Sequence, residues 1–311
     1  MIETVDYHAA GEPFRIVLSG VPDLPGDTVR ARRSAVPEEA DAVRRLLCHE
    51  PRGHADMYGC FLVPPDDAGA DFGVLFWHKD GYSTACGHGT IALGAWAVES
   101  GRVPAASDGE TDVVMDVPSG RVTARVRCAG GHVESVTFRN VPSYVLARGL
   151  PYGSATVDVA YGGAVYVSVR AADLGLPVTP EALPELIRAG REVKAALAPA
   201  VDHPDGIYGT ILYEELPGTP DGPHQRNVTV FADGEVDRSP CGSGTSARLA
   251  LLDPDGVLTH ESIVGTRFQG RVVARSEAGV VTEVEGTAYR TGEHRFTLDP
   301  RDTLGTGFVL R

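Results

Sequence analysis

Two short stretches of this chain nearly repeat each other, 155 positions apart in 311 residues. The first is Cys86-Gly87-His88-Gly89-Thr90-Ile91-Ala92. The second is Cys241-Gly242-Ser243-Gly244-Thr245-Ser246-Ala247. A repeat at half-length predicts two similar halves built around the same local element. Glycines beside each cysteine free the backbone for a tight turn, and a largely apolar run follows, so each stretch reads as a turn opening a helix. Residues 90–98 are apolar almost all round, as in a helix buried on every side. A central helix wrapped by strands would satisfy that pattern.

The rest of the chain supplies the strands. Apolar or alternating runs at 14–18, 72–76, 113–115, 122–126, 133–138, 227–231, 272–275 and 280–284 read as strands, as does the N-terminal run 1–8. Residues 307–310 read as a closing strand. Helices are expected at 37–49, 89–100, 179–198 and 244–252. The first has Glu38 and Glu39 at its start and Val43, Leu46 and Leu47 on one face. The third opens with Thr179 and Pro180. With 37 glycines and 22 prolines, turns are frequent and elements short. No low-complexity linker separates the halves, and the division is placed near Gly130-Gly131. The expected organisation is an N-terminal α/β domain of residues 1–129 plus 297–311, carrying Cys86, and a C-terminal α/β domain of 130–296, carrying Cys241. A ligand cleft would lie between them.

Each motif can do two jobs at once. The first N–H groups of a helix have no intrahelical partner, and the helix dipole is positive there. With glycines that let a ligand approach, these groups make an anion cradle suited to a carboxylate. The same field favours thiolate over thiol. One thiolate could then remove a proton from a carbon while a thiol on the opposite face supplies one. Proton abstraction beside a carboxylate builds enolate-like charge, which preorganised N–H donors stabilise. This chemistry requires no cofactor.

Composition narrows the partners. A formal net charge of −14 with no long Lys/Arg run argues against nucleic acid or an anionic membrane. No apolar run approaches the length of a membrane helix, and the acidic, strand-like N-terminus does not read as a signal peptide. A cytoplasmic location is the default expectation. The five cysteines, Cys48, Cys60, Cys86, Cys128 and Cys241, are odd in number and lack a C-x-x-C pair, so they read as free thiols, not disulfides or metal ligands. Cys48, Cys60 and Cys128 read as structural.

The chain resembles the proline racemase family from end to end. Besides the twin motifs, the resemblance is carried by His8-Ala9-Ala10-Gly11-Glu12-Pro13 and by Glu50-Pro51-Arg52-Gly53-His54-Ala55-Asp56-Met57-Tyr58-Gly59. Further blocks are Tyr161-Gly162-Gly163-Ala164, Asp237-Arg238-Ser239-Pro240-Cys241-Gly242-Ser243-Gly244-Thr245-Ser246-Ala247 and Glu261-Ser262-Ile263-Val264-Gly265. It implies an α/β (α+β) fold like that of diaminopimelate epimerase: two pseudo-symmetric domains, each a barrel-like sheet around a central helix. It also implies cofactor-independent racemisation or epimerisation at Cα of proline or a hydroxyproline. Carried over by position, Cys86 and Cys241 are the two acid/base residues. Gly87, His88, Gly242 and Ser243 bind the substrate carboxylate through their N–H groups. Asp237 accepts a hydrogen bond from the ring nitrogen, His88 also contacts the ring amine, and Tyr58 and Phe231 line the ring pocket. A small-molecule substrate is the expected partner, and a homodimer is left open.

The family also contains trans-3-hydroxy-L-proline dehydratases, in which a threonine or serine replaces one of the two cysteines. Both cysteines are present here, which favours two-base inversion. Yet Gly81-Tyr82-Ser83-Thr84, Tyr161-Gly162-Gly163-Ala164-Val165-Tyr166 and Tyr208-Gly209-Thr210-Ile211-Leu212 look closer to the dehydratase branch. Dehydration is therefore the alternative, and a non-catalytic amino-acid-binding protein is a third reading. The aromatic pair Tyr58 and Phe231 tilts the substrate toward unsubstituted proline. His49-Glu50-Pro51-Arg52-Gly53-His54 lacks the helical spacing of a zinc site, since Pro51 and Gly53 oppose a helix, and no metal is expected. His54 and Asp56 instead read as stabilising the turn before Tyr58. Gly87, Gly89 and Ala92 fit a relaxed dinucleotide fingerprint, but no strand runs directly into them.

Overall fold

The computed structural model describes residues 1–310, which form two compact units. One comprises Met1–Ala9, Pro13–Val136 and the chain from Thr287 onward. The other comprises Ala10–Glu12 and Thr137–Gly286.

In the first unit, Ile2–Ala9 pairs antiparallel with Ala288–Phe296 and also pairs with Glu12–Ser19. The helix Glu38–Cys48 then carries the chain across to Gly59–Val63, which lies parallel to Glu12–Ser19. A hairpin leads to Phe72–His78, whose far end pairs with the short Gly81–Tyr82. Next comes the helix Gly87–Glu99. It returns the chain to Gly109–Val117, parallel to Phe72–His78, and a final hairpin adds Gly120–Ala129. Phe72–His78 is buried at all seven positions, as a strand covered on both faces must be. The helix Gly87–Glu99 touches Gly120–Ala129 at one end of this strand order and Ile2–Ala9 with Ala288–Phe296 at the other. The sheet therefore curls around the helix, whose residues 87–97 are all buried. Gly94 permits the close approach, because a Cβ there would stand 2.7 Å from that of Ala124.

The second unit follows the same path. Ala155–Tyr161 and Val165–Arg170 form a hairpin, extended outward by Tyr144–Tyr152. The helix Leu183–Leu197 crosses to Ile207–Thr219, parallel to Val165–Arg170. A hairpin leads to Gly222–Phe231, whose end pairs with the short Glu235–Asp237. The helix Gly242–Leu252 then returns the chain to Leu258–Ser262, parallel to Gly222–Phe231, and on to Arg267–Ser276 and Gly279–Gly286. The pairings from the first hairpin through the strand after the central helix have their counterparts in the first unit. The duplication seen in fourteen residues thus extends to the topology of both halves, and the mixed α/β, epimerase-like architecture is the one expected. Here too the central helix is enclosed: residues 242–251 are buried and pack on strands from both ends of the sheet.

The outer helices are amphipathic, unlike the central ones. Leu183–Leu197 lays Leu186, Val193 and Leu197 onto the strands Ile207–Thr219 and Gly222–Phe231 and turns its charged residues outward. The helix expected at 179–198 starts later than its sequence suggests. Residues Pro180–Ala182 form a 3₁₀ turn, and the α-helix proper begins at Leu183. The expected closing strand at 307–310 does not form. Phe308 makes only an isolated antiparallel bridge with Glu50, flanked by Gly305 and Gly307 at positive φ, where an extended run is interrupted. The Gly130-Gly131 pair occupies the turn between Gly120–Ala129 and His132–Arg139. Among the described residues, no helix is long and apolar enough to cross a membrane.

Gly162 shows how tightly the second central helix is held. A Cβ at this position would lie 2.3 Å from the Ser243 carbonyl oxygen and 2.8 Å from the Ala247 nitrogen. These are backbone atoms of the helix and cannot step aside as a side chain would. Gly162→Ala is expected to cost about 1–3 kcal/mol of stability, the range for overpacking a well-filled site. Urea unfolding would read this as a lowered midpoint, and an unchanged midpoint would refute it.

Candidate active site

In the first unit, Cys86 is the N-cap of the helix Gly87–Glu99, in extended conformation at φ −153°. Its Sγ accepts the Gly89 N–H at 3.2 Å, and the His88 ring nitrogens lie 3.4 and 3.6 Å from it. An amide aimed at sulfur from a helix start is an arrangement that favours negative charge there. Gly89 is required for this packing, since a Cβ would meet the Phe14 ring at 2.5 Å and the sulfur at 2.8 Å. The Thr90 hydroxyl and amide both donate to the Cys86 carbonyl, at 2.8 and 3.0 Å. Tyr58 and His88 meet edge to face with ring centroids 5.1 Å apart, and Phe14 packs on both. The Tyr58 hydroxyl is hydrogen-bonded to that of Ser83. The turn before Tyr58 is held as its sequence suggests: the Asp56 N–H donates to His54 Nδ1 at 3.2 Å.

In the second unit, Cys241 is the N-cap of the helix Gly242–Leu252, but its backbone is at φ 63° and ψ 100°. A side chain at positive φ costs of order 1–3 kcal/mol and persists only where the surroundings enforce it. Here the Cys241 N–H donates to the Ser239 hydroxyl at 3.0 Å, and its carbonyl accepts the Thr245 N–H at 2.7 Å and the Thr245 hydroxyl at 2.8 Å. The sulfur makes no side-chain cap like that of Cys86. Its neighbours are the Tyr166 hydroxyl at 3.8 Å and the Ser243 hydroxyl at 3.9 Å, which are themselves 2.7 Å apart. Burial, and then the nearby Asp237 carboxylate, push the Cys241 thiol up to about 12, only partly offset by the Gly244 amide and the Thr229 and Tyr166 hydroxyls. At neutral pH Cys241 therefore rests as a thiol. The two cysteines share a motif yet differ in backbone conformation and in the side chains around the sulfur.

The expected site residues fall into two groups, one per unit. Cys86, Gly87, His88 and Tyr58 come together in the first, all buried. In the second, Gly242 and Ser243 open the helix behind Cys241, and Asp237 is buried at the end of its short strand, accepting the Ser239 N–H at 2.8 Å. Phe231 joins them through a chain of rings. It stacks on Tyr208 at 5.5 Å, and Tyr208 meets Tyr166 edge to face at 5.9 Å. Neither central helix has an acidic residue in its first turn, whereas Glu38–Cys48 has three, Glu38, Glu39 and Asp41. Acids at a helix start neutralise its field, so leaving them out keeps that field available for a ligand anion. Sequence reasoning did not single out Tyr166, Thr245, Ser239 or Ser83 as site residues. The threonine at the fifth position of both motifs was the one available signal, since both hydroxyls reach back to the cysteine carbonyl.

Two units of one topology, each with a buried cysteine at the start of a wrapped helix, define a fold of the epimerase class. The chain belongs to the proline racemase family: the family model described as "Proline racemase" matches residues 4–309, and the protein is an enzyme of that family. A trans-3-hydroxy-L-proline dehydratase of Burkholderia ambifaria is 47% identical over 332 aligned positions, covering 100% of this chain and 98% of the relative. A 3-hydroxyproline 2-epimerase of Burkholderia multivorans has the same identity and coverage. Among solved structures, a hydroxyproline epimerase from Agrobacterium vitis with bound trans-4-hydroxy-L-proline superposes with a TM-score of 0.89 at 31% identity, covering 99% of this chain and 95% of that one.

Proposed function

We propose that this enzyme inverts Cα of a hydroxyproline, with 3-hydroxyproline as the first candidate, using Cys86 and Cys241 as its two acid/base groups and no cofactor. The observation that carries this reading is the pair of buried cysteines, each placed before a glycine-opened helix whose first turn lacks acids. The substrate carboxylate binds to the first-turn amides, where the helix field stabilises the enolate-like charge that builds on deprotonation. In one direction Cys86, facing the Gly89 amide, takes the Cα proton as thiolate, and Cys241, whose thiol pKa is pushed up by burial, delivers its proton to the opposite face. The enzyme is left with the proton on Cys86 and the thiolate on Cys241, poised for the reverse direction. The shift from unsubstituted proline to a hydroxylated ring rests on the relatives' substrates and on the Tyr58–Ser83 and Tyr166–Ser243 hydroxyl pairs.

Dehydration of trans-3-hydroxy-L-proline is as well supported a second reading, favoured by the activity of three relatives at 46–47% identity. In that substrate the carboxylate and the 3-hydroxyl lie on opposite ring faces, so the Cα proton and the leaving hydroxyl share a face. A single cysteine can take the proton, and the hydroxyl leaves as water once protonated. The test is proton NMR in D2O with L-proline, trans-4-hydroxy-L-proline and trans-3-hydroxy-L-proline in separate tubes. Loss of the Cα–H signal with appearance of a Cα-deuterated epimer is expected for the 3-hydroxy compound. Conversion of that compound to a cyclic imine would replace inversion by elimination. Unchanged spectra in all three tubes would overturn both readings.

A further inference from the structure

Resting on the reading of Cys241 as an acid/base group, we propose that His260 is a positioning residue for Cys241, acting through the hydroxyl of Thr245. His260 belongs to the strand Leu258–Ser262 and has no exposed surface. Its Nδ1 lies 2.7 Å from Thr245 Oγ1, and Thr245 Oγ1 lies 2.8 Å from the Cys241 carbonyl oxygen. Its Nε2 is buried without a hydrogen-bond partner.

The proton positions follow from these distances. Burial first, and then the Arg248 and His224 charges, hold the imidazole neutral, with a pKa near 3, so the ring carries a single N–H. Placed on Nε2, that N–H would be a buried donor with nothing to bond, whereas on Nδ1 it meets Thr245. The Thr245 hydroxyl accepts from His260 and can donate its own proton only onward. The carbonyl of Cys241 accepts it, and each bond in such a chain strengthens the next.

The comparison between motifs shows what the imidazole is for. Thr90 makes the same reach to the Cys86 carbonyl at 2.8 Å, but Cys86 is unstrained and its sulfur is capped by the Gly89 amide. Among the described residues no imidazole bonds to Thr90. Cys241 is held at φ 63°, so its sulfur direction depends on how firmly its peptide is pinned. The extra histidine backs the strained copy of the motif.

His260→Phe removes the donor while keeping a buried ring, and His260→Asn keeps an N–H close to the place of Nδ1. Misplacing a reacting group by about 1 Å can cost about 100-fold; His260→Phe is expected to lower kcat by about 30-fold or more with KM within about threefold. His260→Asn should recover at least about a third of the wild-type kcat by the same argument. A second readout needs no substrate and so separates this idea from the assigned activity. Alkylation of Cys241 by iodoacetamide, followed by peptide mass spectrometry, should run at least about fivefold faster in His260→Phe, because a less firmly pinned Cys241 peptide exposes the thiol. A purely packing role would lower the melting temperature and leave kcat unchanged below it. Folded His260→Phe with wild-type kcat and wild-type alkylation overturns the proposal. Should His260→Phe fail to fold, Thr245→Val, which keeps the shape and removes the hydroxyl, replaces it against Thr245→Ser. Thr245→Val at wild-type kcat overturns the proposal equally.

Discussion

Replacing either Cys86 or Cys241 by serine is expected to lower the rate of Cα inversion by about 100- to 10,000-fold, the range contributed by a positioned acid/base pair. A serine hydroxyl is a far weaker acid than a thiol, so at neutral pH it neither takes the Cα proton readily nor exists as the oxyanion needed for the reverse step. Binding should survive, because in the proposed mechanism the carboxylate is held by backbone amides that the substitution leaves in place. KM should therefore change only a few-fold while kcat collapses, the pattern of an interaction made in the transition state. The two variants also separate inversion from elimination. Under inversion both lose activity, since each direction needs one group on each face. Under elimination one variant retains conversion of trans-3-hydroxy-L-proline, because a single base suffices. The measurement is the same NMR assay in D2O, run on both variants beside the wild type. A serine variant that inverts Cα at the wild-type rate would sink the two-base mechanism.

The second large effect is on stability against acid. His260 has its pKa lowered from 6.5 to about 3 in the native state, by burial first and then by the Arg248 and His224 charges. Between those values the unfolded chain binds a proton that the native protein refuses, so stability rises with pH across that window. The contribution is fully present above pH 6.5 and is lost as the pH falls toward 3. At full slope one proton is worth about 1.4 kcal/mol per pH unit, and over the whole window roughly 4–5 kcal/mol. Carboxylates with depressed pKa, such as Glu261 beside Arg226 and Arg267, add to acid lability at lower pH. They are common to wild type and variant and cancel in a comparison. Urea unfolding of wild type and His260→Asn at pH 7.5, 6.5 and 5.5 should therefore diverge, with the wild type losing stability faster. Parallel losses across this range would mean that His260 is not held neutral in the native protein.

Cys86 and Cys241 show where sequence and structure part company. The repeat of seven residues at half-length predicted two like halves, and the glycines and apolar runs predicted the two buried helices that the cysteines cap. These features are local. A cap, a helical period and an all-round apolar segment are set by residues within one or two turns of each other, so the sequence states them directly. The family blocks, spread along the chain, were readable for the same reason.

What the sequence did not state depends on partners brought together by sheet register. Tyr166 and Ser243 are 77 positions apart, Tyr58 and Ser83 are 25 apart, and Thr245 and His260 are 15 apart. No local spacing rule connects such pairs, because the distance between them is decided by which strand lies beside which. The conformations of the cysteines follow the same division. Two nearly identical motifs place one cysteine at φ −153° and the other at φ 63°. The second is sustained by Ser239, Thr245 and a histidine from the neighbouring strand. The chain by itself determined that there would be two thiols at two helix starts. The tertiary structure alone decided that they would be unlike in backbone conformation and surroundings, since the Asp237 charge and the packing of Tyr166 beside Cys241 act through space and not along the sequence.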